Sequence, residues 1–146
     1  MEHGSTDIKA MTAVAEKLAA RLMPTDGGAT VVTLSGDLGA GKTTFTRALA
    51  RAFGTEEDVT SPTYVIEKIY LLAKGPFSKL IHIDAYRLNG HHDLELLGWK
   101  ELLQASGNLI VVEWPEKVDG IIPHDAINIK LKVMDDDTRT ITHDFI

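Results

Sequence analysis

Thr30-Val-Val-Thr-Leu-Ser-Gly-Asp-Leu-Gly-Ala-Gly-Lys-Thr-Thr44 is the stretch that decides how this chain is read. Within it, Gly36-x-x-x-x-Gly41-Lys42-Thr43 has the spacing of a phosphate-binding loop. The β-branched apolar run Val31-Val-Thr-Leu34 before it predicts a buried strand. After it, Phe45, Leu49, Ala52 and Phe53 recur at helical spacing, and Gly54 is placed to close that helix.

Each residue type in the loop has a chemical reason. Backbone N–H groups from Leu38 through Gly39, Ala40 and Gly41 to Thr44 must converge on a phosphate, and glycine keeps Cβ atoms out of the approach. The following helix aims its positive N-terminal end at the same anion. Lys42 is expected to reach the β- and γ-phosphates, and the Thr43 hydroxyl to ligate Mg²⁺. Without phosphate, the Lys42 side chain is expected to project into solvent, so that folding does not depend on it. ATP and Mg²⁺ are the cofactors this loop implies.

Working outward, the length of 146 residues predicts a single domain over 1–146, large enough to bury a core unaided. No cysteine is present, which excludes disulfides, zinc–thiolate sites and cysteine nucleophiles. The net charge of −6 argues against a large nucleic-acid-binding surface, so any RNA connection is expected to be indirect. No apolar run approaches membrane-spanning length and no signal-peptide core stands near Met1, so a cytoplasmic location away from membranes is the expectation.

Met1–Ser5 is expected to be flexible, with part of it able to order over a ligand. Ile8, Met11, Ala15, Leu18, Ala19 and Leu22 form one stripe of a helix spanning Asp7 to Met23, capped by Ser5 or Thr6 and ended by Pro24. Tyr64–Leu71 and Leu80–Ile83 predict an antiparallel pair around the turn at Lys74–Lys79. A short helical stretch opens at His91 and extends or restarts around Gly98. Adjacent histidines 91 and 92 do not share a helix face, which makes a poor metal pair. Leu109-Ile-Val-Val112 has the continuous apolar character of a central strand buried on both faces. Alternation at Ile127, Ile129, Leu131 and Val133, then at Ile141, His143 and Phe145, predicts a C-terminal hairpin with one wet face.

Two carboxylates, Asp84 and Glu113, fall at strand ends and compete for a second magnesium-holding or water-orienting role. The plain alternative is that either one caps the next helix or pairs with Arg87.

Four motifs occur in order: Gly-Asp-Leu-Gly-Ala-Gly-Lys-Thr-Thr (36–44), Ser-Pro-Thr-Tyr (61–64), His-x-Asp-x-Tyr-Arg-Leu (82–88) and Glu-Trp-Pro-Glu (113–116). Together they closely resemble the TsaE (YjeE) family of small bacterial ATPases, and the likeness runs from the N-terminal helix to the C-terminal hairpin. The three later motifs, rather than the loop, make it specific. The resemblance implies a Mg²⁺-dependent ATPase required for threonylcarbamoyladenosine modification of tRNA, acting with a TsaB–TsaD complex. It implies phosphate and Mg²⁺ binding by Lys42 and Thr43, Glu113 as the second Mg²⁺ group, and a role for Asp84 in hydrolysis. It makes Ser61–Tyr64 similar to a switch segment and Asp84–Arg87 similar to a second. It marks Trp114 as a family hallmark, which by pattern is equally a core tryptophan, and sets Arg139 near the nucleotide. The expected fold is α/β, a P-loop NTPase-like three-layer sandwich whose mixed sheet has parallel core strands and antiparallel hairpins. Slow hydrolysis is expected of the chain alone, because no residue is an evident arginine finger and Arg87 is the only candidate in a suitable motif. A small-molecule kinase, with Asp84 as base, and a nucleotide-dependent switch of negligible turnover are the rival readings. The lack of a basic lid between Leu88 and Leu103 favours the ATPase over the kinase.

Overall fold

The fold was analysed in a computed structural model, which describes residues 2–5, 8–36, 41–55, 67–133 and 139–143. Chain order runs β1 (Glu2–Ser5), α1 (Ile8–Arg21), β2 (Thr30–Ser35), α2 (Lys42–Ala52), β3 (Glu67–Leu71) and β4 (Lys79–Asp84). It continues through α3 (His91–Leu96), α4 (Trp99–Gln104), β5 (Asn108–Glu113), β6 (Ile127–Val133) and β7 (Arg139–His143). Short 3-10 segments, Ala85–Arg87 and Pro115–Ile121, follow β4 and β5.

One seven-stranded sheet has the order β1-β7-β6-β2-β5-β4-β3. Its centre is parallel, with β2 between β6 and β5, and β4 beyond β5. The flanks are antiparallel: β3 on β4, β7 on β6 and β1 on β7. Every residue of β5 is buried, which is why its sequence shows no alternation. Each fully buried Val, Leu or Ile there contributes about 1.5–3 kcal/mol relative to exposure.

Helices cover both faces, giving the expected three layers. On one face α1 and α2 pack through Met11, Ala15, Leu18, Phe45 and Leu49 onto Val32, Leu34, Leu80, Leu109 and Val111. On the other, Leu94, Trp99 and Val118 from the short helices meet Val31, Ile81, Ile83, Ile110 and Val112. Of the α1 stripe read from the sequence, Met11, Ala15, Leu18 and Leu22 are buried and Ala19 is partly so. The helix stops at Arg21, three residues before Pro24, and Leu22 still donates to Leu18 O at 3.1 Å. Thr6 and Asp7, part of the expected start of that helix, lie outside the described residues.

The end of α2 closes with two reversed hydrogen bonds, Thr55 N–H to Ala50 O at 3.1 Å and Gly54 N–H to Arg51 O at 3.0 Å. The β3–β4 turn is tied to this corner. Lys74 donates to Phe53 O at 2.8 Å, and Phe77 meets Phe53 edge-on at 5.5 Å between ring centroids.

One expectation is corrected. Glu2–Ser5, expected to be flexible, forms a strand paired antiparallel with β7, Ser5 opposite Arg139. The cause is tertiary: the open backbone edge of β7 supplies hydrogen-bond partners that a local reading cannot see.

Candidate functional site

The carboxyl ends of β2, β4 and β5 lie at one edge of the sheet, where open α/β sheets bind ligands. From β2 the chain passes Gly36 into the loop and enters α2 through Gly41, which stands at its N-cap with φ 102°. Gly41 has no side chain with which to cap this helix itself. Leu38, Gly39 and Ala40 lie outside the described residues. Thr43 and Thr44 are half-buried in the first turn, and the buried Thr46 hydroxyl donates back to Lys42 O at 3.0 Å.

Lys42 does not project into solvent. It is 6% exposed, its ammonium donates to the Gly36 carbonyl, and its Nζ sits 4.0 Å from the centroid of the Trp114 ring. In this arrangement a carbonyl dipole and an aromatic face supply negative potential to the cation; such an aromatic contact is worth about 0.5–2 kcal/mol. Sequence distance hid this arrangement, since Trp114 arrives from the far end of β5.

Two neighbouring parallel strands deliver the carboxylates. Asp84 and Glu113 are register partners across β4 and β5, and Leu34 is opposite Glu113 on β2. Asp84 is half-buried, and its Oδ1 accepts from Tyr86 N–H at 3.0 Å, so it caps the 3-10 turn that follows. Glu113 is 4% exposed and its Oε2 pairs with His82 Nε2. From the sequence His82 stands only as the first residue of the 82–88 motif, with no role of its own. The available signal was a lone imidazole in the apolar run Leu80–Ile83, two residues before Asp84 and therefore on its face.

Trp114 has φ 60°, the sole positive φ of a non-glycine residue among the described residues. That conformation is an outlier for a bulky side chain. Its N–H donates to Leu34 O at 3.1 Å, which fixes the turn beside β2. Its ring lies 5.0 Å from that of Tyr86, over which Lys117 Nζ stands at 5.6 Å. Two touching rings therefore carry one cation each, in the order Lys42, Trp114, Tyr86, Lys117, from α2 across both 3-10 segments. Arg139 begins β7 opposite Val133 and Ser5, which places its backbone beyond the Ser35–Lys130 pairing at this same end of the sheet. Ser61–Tyr64 lies outside the described residues.

The donor set suits a magnesium ion carried by phosphates. No cluster of three metal-ligating side chains occurs among the described residues. Mg²⁺ commonly takes one or two protein groups and completes its shell with water and phosphate oxygens. Thr43 in the first turn of α2, with Glu113 at the end of β5 next to β2, is consistent with that pattern. No helix among the described residues is long and apolar enough to cross a membrane.

Comparison with known proteins agrees with this architecture. The family model described as "Threonylcarbamoyl adenosine biosynthesis protein TsaE" matches residues 5–141. A relative from Rickettsia bellii, named tRNA threonylcarbamoyladenosine biosynthesis protein TsaE, is 37% identical over 134 residues, covering 90% of this chain and 87% of its own. The protein of the same name from Bacillus subtilis is 39% identical over 130 residues, covering 89% and 76% respectively. The crystal structure of Bacillus subtilis YdiB superposes with a TM-score of 0.78 at 32% identity, covering 98% of this chain and 83% of that one. A loop-bearing strand and helix, two carboxylates on adjacent strands and a family match across nearly the whole length lead to one conclusion: the chain belongs to the TsaE family.

Proposed function

We propose that this protein is a Mg²⁺-dependent ATP hydrolase serving threonylcarbamoyladenosine modification of tRNA through a TsaB–TsaD complex. The observation that supports it best is the buried Lys42 ammonium at the start of α2, against the Trp114 ring that follows Glu113. The loop from Leu38 to Thr44 would cradle the phosphates with its N–H groups, and Arg139 would stand near the nucleotide. Lys42 would exchange the Gly36 carbonyl and the Trp114 ring for phosphate oxygens. Thr43 and Glu113 would hold Mg²⁺, which when bound supplies charge neutralisation to the phosphoryl group. Asp84 has Oδ1 occupied by its own turn and would use its second oxygen to orient water. Arg87 is exposed on the 3-10 segment after β4, and the chain alone would hydrolyse slowly, since phosphoryl transfer is fast only with an arginine placed at the reacting charge.

The test is phosphate release measured alone and with a TsaB–TsaD pair. Slow release that the pair accelerates is the expected result. Lys42→Ala should lower turnover on the order of 100-fold or more, as losing a preorganised cation at the reacting charge does. A Lys42→Ala protein with normal turnover would overturn the assignment of this loop.

A further inference from the structure

We propose that His82 is a positioning residue for Glu113: it ties down one carboxylate oxygen so that the other is presented to the phosphate-bound metal. This inference rests on the reading of Glu113 as a Mg²⁺ group. The placement follows from register. His82 is opposite Val111 on the α1–α2 face of the sheet, and two residues on, Asp84 is opposite Glu113. All three polar side chains therefore share one face near its carboxyl edge, with the β4 imidazole behind the β5 carboxylate.

The chemistry is selective. His82 is fully buried, and Glu113 is nearly so. A carboxylate so withdrawn from water needs hydrogen bonds to remain charged. His82 Nε2 makes that bond to Oε2, whereas its Nδ1 has no partner among the described residues. Glu113 is therefore the sole hydrogen-bond partner of the His82 ring among the described residues. A histidine kept for packing has no need of that bond; a leucine would fill the space between Leu80 and Asp84 without leaving Nδ1 bare. Outer partners of this kind orient metal-holding side chains, and their loss typically weakens metal affinity about 10–100-fold.

Two measurements test this. In the nucleotide-free protein, ring ¹⁵N and ¹H spectra should show the Nε2–H tautomer of His82 with a strongly deshielded, slowly exchanging proton, which Glu113→Ala abolishes. A proton on Nδ1 instead would overturn the proposal without any reference to activity. In turnover assays, His82→Phe should raise the Mg²⁺ midpoint about tenfold or more while metal-free nucleotide binding stays unchanged, and His82→Gln, which restores an N–H donor, should recover most of it. A folded His82→Phe protein with a wild-type midpoint, when Glu113→Gln has a raised one, overturns the role of His82 alone. A wild-type midpoint in Glu113→Gln overturns the reading of Glu113 as well, so the two failures are separable.

Discussion

The two faces of the sheet are covered in different ways. On one, α1 and α2 run for 14 and 11 residues and bury regular stripes. On the other, α3 and α4 have six residues each and are joined at Gly98, with 3-10 segments completing the cover. Lys42, His82 and Glu113 all belong to the first face or its rim. Long helices hold a phosphate-binding geometry firmly, because many buried side chains fix the position of one helix terminus. The short, bent elements serve a different end. They allow the chain to turn sharply after β4 and β5, bringing Tyr86 and Trp114 over the site.

The largest expected effect that sharpens this contrast comes from paired core truncations. Phe45→Ala, on the α2 side, should cost about 3–5 kcal/mol, and Leu94→Ala, on the other, about 2–5 kcal/mol, by denaturant titration. Both side chains are fully buried. Only Phe45→Ala should also weaken ATP binding, because Phe45 N–H bonds Gly41 O at 2.9 Å in the first turn of α2. Equal losses of affinity in the two variants would erase the distinction.

A smaller difference is expected between two glycines. Gly54 has φ 84° and Gly98 has φ 82°, so alanine at either costs about 1–2 kcal/mol in backbone strain. At Gly54 a new Cβ would also lie 2.8 Å from Lys74 Cγ and 3.0 Å from Lys74 N, which is held by Phe53 O. At Gly98 the nearest atom is the movable Glu101 Oε2 at 3.5 Å. Gly54→Ala should therefore lower Tm more than Gly98→Ala; the reverse order would show that the α2–hairpin corner is free to adjust.

The smallest effect concerns a third carboxylate. Glu67 pairs in register with Ile83 and so lies on the face opposite Glu113. Its Oε2 is buried with no partner among the described residues, and burial raises its pKa above 4.5. A raised folded pKa means that the native state holds the proton more tightly than the unfolded chain. The penalty is therefore full above the folded pKa and disappears below the unfolded one. Glu67→Gln should raise Tm slightly at neutral pH, with the gain vanishing as pH falls below about 4.5. A gain independent of pH would assign the effect to packing instead.

Much of this architecture is legible in the residues. β2, β5 and the α1 stripe from Met11 to Leu22 are carried by local runs whose burial pattern matches their spacing. Gly98 was rightly read as a restart or extension point, and the structure shows a restart. Other features arise only when distant segments meet. Glu2–Ser5 has no apolar alternation, and it becomes a strand because β7 has an edge to fill. Lys42 is buried because Trp114 turns over it from another strand, and His82 acquires a role only through the β4–β5 register. Spacing along the chain does not encode such meetings.

The parallel centre of the sheet has a consequence for how the protein is made. β2 is complete early in synthesis, yet both of its hydrogen-bonding neighbours, β5 and β6, emerge much later. The β3–β4 and β6–β7 hairpins can close within microseconds of leaving the ribosome, whereas β2 must wait for non-local partners whose pairing carries a large loop-closure cost. Through that interval an apolar strand is left unpaired on both edges and calls for protection from other nascent chains. The sheet edge formed by the ends of β2, β4 and β5 is therefore assembled only after the last third of the chain has begun to emerge.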